Sequence, residues 1–212
     1  IATTIVEDAT APEAPVIGDT TNNSNQVTGT AEANSTVKVT FPSGAVVETT
    51  ADENGRFTAN IPEDEALQGG ETIQATSIDA AGNVSQPGSA IVIDTTAPDA
   101  PKISHVTSVS TEVTGTAEAN STVKVTFPSG AVVETTADAQ GNFTVAIPED
   151  EALQGGETIQ AISTDDAGNV SHPGSTTVTD ETAPEPPTVN GVTSEDTQVT
   201  GTAEANSTVT VK

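Results

Sequence analysis

The chain has 212 residues, with 31 Asp and Glu against 5 Lys and Arg, a formal net charge of −26, no cysteine, and four phenylalanines as its only aromatic side chains. Such a polyanion repels nucleic acids and anionic headgroups, whose binding rests on Lys and Arg neutralising phosphates, so no nucleic-acid partner is expected. The lack of cysteine rules out a disulfide framework and thiolate chemistry. No apolar run approaches a membrane span, and residues 1–6 lack the zones of a signal peptide, so no membrane insertion is expected of this segment.

Repetition is the strongest signal. Thr10-Ala-Pro-Glu-Ala-Pro15 returns at Thr96 and again at Thr182, 86 residues apart each time, and Val27 to Asp52 is identical to Val113 to Asp138. Val199 to Val209 opens the same block a third time. This is a tandem array. Starting each unit at the Asp before Thr-Ala-Pro gives the end of a preceding repeat at 1–7, full repeats at 8–93 and 94–179, and a partial repeat at 180–212. The array is expected to continue on both sides.

Taken in chain order, the first unit predicts seven strands, near 15–18, 26–31, 36–41, 45–50, 56–61, 71–78 and 89–93. Alternation puts Val37, Val39 and Phe41 on one face, then Phe57, Ala59 and Ile61, then Ile73 and Ala75. Turn residues separate the runs: Ala33-Asn-Ser35, Pro42-Ser-Gly44, Asp52-Glu-Asn-Gly55, Gln68-Gly-Gly70 and Ala81-Gly-Asn83. Residues 62–67 are expected to form one helical turn, with Leu67 plugging the edge of the core. Seven short strands in under ninety residues predict an all-β fold, a tandem of seven-stranded immunoglobulin-like or fibronectin-type β-sandwiches arranged as an elongated rod. The partial third unit supplies about three strands and cannot close a sandwich.

The Thr-Ala-Pro-x-Ala-Pro opening, Val-Thr-Gly-Thr-Ala-Glu-Ala-Asn-Ser-Thr-Val, Phe-Pro-Ser-Gly, Gly-Gly-Glu-Thr-Ile and Asp-x-Ala-Gly-Asn-Val-Ser together resemble the bacterial Ig-like tandem repeats of large surface adhesins. The unit length and the near-identity of neighbours are most similar to the repeat region of the biofilm-associated protein (Bap) family. The resemblance implies an extracellular location on the bacterial cell surface. It also implies a stalk or spacer role that projects an adhesive region and supports biofilm formation and cell adhesion. Related adhesin repeats often bind calcium at domain junctions.

In a seven-strand sandwich the chain entry and the second-to-third, fourth-to-fifth and sixth-to-seventh connections share one end. The candidate Ca²⁺ ligands gathered there are Asp8, Glu32, Asp52, Asp79 and Asn83 in the first unit, and Asp94, Glu118, Asp138, Asp165, Asp166 and Asn169 in the second. The third unit retains Asp180 and Glu204. Calcium accepts six to eight oxygens from flexible loops and would neutralise such a cluster; alternatively, the acids are solvated turn residues that maintain solubility. The runs Glu63-Asp-Glu65 and Glu149-Asp-Glu151 belong to the opposite end and read as solvated loops.

An enzyme is not expected. His105 and His172 align with Asp19 and Gln86, outside the repeated pattern, and the chain lacks the aromatic sugar platforms that accompany paired carboxylates in glycosidases. Two alternatives to the stalk remain: a homophilic module that pairs with the same protein on other cells, and an adhesin module that binds a host ligand directly. The partners expected first are the neighbouring repeats of the same chain.

Overall fold

The computed structural model describes residues 7–212, and among these the regular elements are all β-strands. The described chain forms two compact units. One runs through Pro98 and includes Thr164–Ser171; the other comprises Asp99–Ser163 and His172–Lys212.

The first unit contains β1 (Val16–Ile17), β2 (Gln26–Thr30), β3 (Thr36–Thr40), β4 (Val46–Thr50), β5 (Arg56–Asn60), β6 (Thr72–Ile78) and β7 (Gly88–Ile91). These overlap the seven expected strands in order. They form a three-stranded antiparallel sheet, β1-β2-β5, and a four-stranded one, β4-β3-β6-β7. The second repeat follows the same plan: β8 (Lys102–Ile103), β9 (Glu112–Thr116), β10 (Thr122–Thr126), β11 (Val132–Thr136), β12 (Asn142–Ala146), β13 (Thr158–Thr164) and β14 (Gly174–Thr177) make sheets β12-β9-β8 and β11-β10-β13-β14. Past these, β15 (Thr188–Val189) pairs with β16 (Gly201–Thr202).

The period-2 pattern decides what is buried. In Thr36-Val-Lys-Val-Thr40 the valines point inward and are fully buried, and they pack in one cluster with Val27, Phe41, Phe57, Ala59, Ile73, Ala75 and Val92. Burying a side chain of this size contributes roughly 1.5–3 kcal/mol, so a few valines and two phenylalanines supply most of a thin core. On the outer face, Lys38 meets its cross-strand partner Glu48 at 2.8 Å. Such an exposed pair is worth at most about 1 kcal/mol. The edge strands of the two sheets meet at a corner, where the Thr49 hydroxyl donates to the Thr58 carbonyl at 2.9 Å.

Each expected turn adopts left-handed backbone at its Asn or Gly, among them Asn34 (φ 63°), Gly44, Gly55, Gly70 and Gly82. The helical turn expected at 62–67 is not formed. A turn closed by Glu65 N–H donating to the Pro62 carbonyl (3.0 Å) stands there instead. Its Glu65 carboxylate accepts from the Ser43 amide (3.2 Å) and hydroxyl, which ties the segment to the β3–β4 turn and removes any need for helical hydrogen bonds. Leu67 packs partly buried against the core, and Leu153 is buried in the second repeat.

Register sets the two ends of each sandwich. Thr36 lies opposite both Thr50 and Ile78, so the β2–β3, β4–β5 and β6–β7 connections emerge together. At the opposite end lie the β1–β2, β3–β4 and β5–β6 connections and the departing chain. There Ile93 N–H donates to Thr20 and Asn22 N–H donates to Ile93.

Candidate functional site

The entering chain is seated first by shape. Pro12 and Pro15 are buried, and the path passes so close to the start of β7 that a Cβ on Gly88 would lie 1.8 Å from the Pro15 carbonyl oxygen. Gly174 leaves the same slot for Pro101. Hydrogen bonds add to this: the Ser77 hydroxyl donates to the Glu13 carbonyl at 3.2 Å, and Ser163 repeats the contact with Asp99 at 3.4 Å.

The Asp-x-Ala-Gly-Asn loop then holds the first residue of the repeat. Asp79 Oδ1 accepts from the amides of Ala81 (2.9 Å) and Asn83 (2.8 Å), while its Oδ2 accepts from Asn83 Nδ2 (2.8 Å). The same Asn83 amide group also donates to the Asp8 carbonyl at 3.1 Å. In the second copy Asn169 Nδ2 donates to Asp165 Oδ2 (2.9 Å) and to the Asp94 carbonyl (3.3 Å). The local donors lower both aspartate pKa values: for Asp79 the Asn83 side chain contributes most, and for Asp165 the Asn169 and loop amides together outweigh a desolvation effect that pushes the other way.

Asp94 is gripped a second time, by its side chain. Its Oδ1 accepts from Asn22 Nδ2 at 2.7 Å and from the Thr96 amide at 2.9 Å. Asn22 Oδ1 in turn accepts the Thr95 amide at 3.1 Å. Gly69 (φ 106°) closes over this residue: an added Cβ would fall 2.4 Å from the Asp94 Cβ. Asn22, Gly69, Asp94 and Asn169 all belong to the first compact unit. The carboxylate of Asp94 therefore faces the β1–β2 and β5–β6 loops behind it, while its carbonyl faces the Asp165–Asn169 loop ahead. At Asp180 the corresponding side chain is Ser108, whose hydroxyl lies 3.4 Å from Asp180 Oδ1.

The remaining expected ligands serve their own turns. Asp52 Oδ1 accepts from Asn54 and Arg56, and Asp138 accepts from the Gln140 amide and from both the amide and the side chain of Asn142. The Asn142 donors, amide first, hold the Asp138 pKa low. Asp8 and Asp180 cap the amides two residues on, at 3.0 and 2.8 Å. The carbonyls of Glu32 and Glu118 take the Ser35 and Ser121 hydroxyls. Asp166 is exposed, beside the half-buried Asp165. Among the described residues no three Asp, Glu or His gather where they could hold a metal ion. The best-placed carboxylates, Asp79, Asp138 and Asp165, accept amide protons of their own loops.

The sequence reasoning missed Asn22 and Asn23. Their signal was available: Thr21-Asn-Asn-Ser24 becomes Thr107-Ser-Val-Ser110, just ahead of the block from Val27 to Asp52 that recurs unchanged.

Tandem seven-stranded sandwiches, each seating the chain at both of its ends, define a class of modular immunoglobulin-like repeat. The chain belongs to the bacterial Ig domain family, whose model matches residues 11–94 and 97–180. No curated protein matches it. Among solved structures it is similar to a biofilm associated protein BSP domain, at 25% identity over 81% of this chain and 30% of that one, with a TM-score of 0.35. It is also similar to a Ca²⁺-stabilized adhesin that helps an Antarctic bacterium bind ice, at 25% identity over 89% and 54% of the two chains, TM-score 0.38. A third is Rst D1-D2, at 13% identity over 82% and 98%, TM-score 0.48. The chain thus spans only about a third and about half of the first two. No helix among the described residues is long and apolar enough to cross a membrane.

Proposed function

We propose that the chain is a spacer segment of a bacterial surface adhesin: structural repeats, without catalysis, that stand between the cell and an adhesive region and support biofilm formation and cell adhesion. The observation that carries this reading is the double grip on Asp94, whose side chain is held by Asn22 and whose carbonyl is held by Asn169. A spacer has to pass force from one sandwich to the next. Tying one residue into the loops on either side of it does so with ordinary turn chemistry.

Calcium clamping of the joints is the competing account of the same acids. What supports it is the −26 charge together with the placement of the Asp79 and Asp165 loops beside the entering chain. It makes an opposite prediction. If hydrogen bonds close the joints, calorimetry of this chain shows the same melting temperature in millimolar Ca²⁺ and in chelator at matched ionic strength. An upward shift with Ca²⁺ that Asp94→Asn and Asp165→Asn abolish would establish the clamp.

The spacer reading is tested with the chain in solution and as a competitor. It requires a monomer in sedimentation from pH 5 to 7, with or without Ca²⁺, and no inhibition of bacterial adhesion when the soluble chain is added. Concentration-dependent association would establish the homophilic module, and inhibition of attachment would establish direct ligand binding.

A further inference from the structure

The two full repeats present the same backbone to the departing chain but different side chains. Asn22 N–H donates to the Ile93 carbonyl, and Ser108 N–H donates to the Thr179 carbonyl, each at 2.9 Å. Beyond that point the two exits diverge. In the first, Asn22 Nδ2 reaches Asp94 Oδ1 (2.7 Å) and Thr96 Oγ1 (2.8 Å), and its Oδ1 takes both the amide and the hydroxyl of Thr95. Asn23 Nδ2 adds the Thr95 hydroxyl at 3.1 Å. In the second, the single Ser108 hydroxyl accepts the Glu181 amide (2.9 Å), donates to Asp180 Oδ1 (3.4 Å) and pairs with the Thr182 hydroxyl (3.0 Å). Val109 replaces Asn23 and is exposed. The imidazole of His105 meets the Thr179 hydroxyl at 3.0 Å, ahead of the departing residues.

A carboxamide offers two donors and an acceptor in one rigid plane; a serine hydroxyl offers one donor and a freely rotating oxygen. We propose that the residue pair at 22–23, and its counterpart at 108–109, sets the stiffness of the segment leaving each repeat. Asn22 and Asn23 lock Asp94–Thr96, and Ser108 and Val109 leave Asp180–Thr182 as a hinge. Two residues on a loop thus tune flexibility repeat by repeat, while the buried valines and phenylalanine from Val27 to Phe41 recur unchanged from Val113 to Phe127. The inference concerns local opening and stands whether or not the array is a spacer.

Native-state hydrogen exchange on the whole chain tests it, with exchanged pairs so that each exit is compared with itself. In Asn22→Ser/Asn23→Val the Thr95 amide should exchange roughly three- to tenfold faster, the effect of losing about one net hydrogen bond. In Ser108→Asn/Val109→Asn the Glu181 amide should slow by a similar factor. The core amides of Val37 and Val123 serve as internal controls and should keep their rates. Unchanged rates at Thr95 and Glu181 would overturn the proposal, as would equal acceleration of the core amides, which would show a global loss of stability instead of a local hinge.

Discussion

The first and second repeats share one plan, and the block from Val27 to Asp52 recurs unchanged as Val113 to Asp138, so where they differ is informative. Their cores match at most positions, with Val27, Val37, Val39, Phe57 and Ile73 buried in one and Val113, Val123, Val125, Phe143 and Ile159 in the other, while Ala59 and Thr20 are replaced by the buried Val145 and Val106. Their exits do not match, because Asn22 and Asn23 give way to Ser108 and Val109. A core residue touches many neighbours at once, so a change there costs stability directly, whereas a loop residue that grips the next segment changes how freely that segment moves.

The largest expected effect challenges the matching half of this comparison. Phe57→Ala and Phe143→Ala should each cost about 3–5 kcal/mol and do so equally, measured by urea unfolding of the repeat that carries the change. Clearly unequal losses would mean that the two cores are not energetic copies. Next comes the seat of the entering chain. Gly88→Ala and Gly174→Ala force a methyl group against the Pro15 and Pro101 carbonyl oxygens, and each should cost roughly 1–3 kcal/mol in the same measurement.

Acid should act on both repeats through the Asp-x-Ala-Gly-Asn loops. The folded pKa values of Asp79 and Asp165 lie below the ordinary 3.8, so the unfolded chain takes up protons first as pH falls. The stability these carboxylates contribute is complete above that pH and is lost as pH drops below 3.8 through the folded values. Thermal melts between pH 5 and 2 should show the decline, and Asp165→Asn should lessen it in the second repeat, leaving the part that Asp138 contributes. The smallest effect is electrostatic and common to both copies: raising NaCl screens a repulsive net charge and should raise the melting temperature by a few degrees at most, a shift readable by calorimetry.

Most of the sandwich was legible in the chain. Strict alternation through Thr36 to Phe41 and Arg56 to Ile61, broken by Asn and Gly at fixed places, left one sensible set of strands and an inward face that the packing confirms. The loop at 62–67 was misread because its glutamates suit a helix start, while the partner that holds Glu65, Ser43, is 22 residues away. The β2–β3, β4–β5 and β6–β7 connections emerge together, but sequence cannot say where a carboxylate on them points. Asp52, Asp79, Asp138 and Asp165 turn back onto their own amides, and Asp94 turns toward the loops behind it. Asn22 was passed over since its partners, Asp94 and Thr96, lie 72 and 74 residues further along.

The block that occurs three times separates what is local from what is not. Asn34, Asn120 and Asn206 take φ values of 63°, 64° and 66°, and Ser35, Ser121 and Ser207 each donate a hydroxyl proton back to a glutamate carbonyl three residues earlier. That turn is written in four residues, because the hydrogen bonds from its serine to its glutamate carbonyl close within them. The strand that follows is another matter. Val37 and Val39 are fully buried between β4 and β6, whereas Val209 and Val211, in almost the same sequence, are 50% and 70% exposed and belong to no strand. A strand's hydrogen bonds and apolar face are satisfied only by other strands, so sequence alone sets the turns and the pattern, and tertiary pairing decides whether the pattern becomes a sheet.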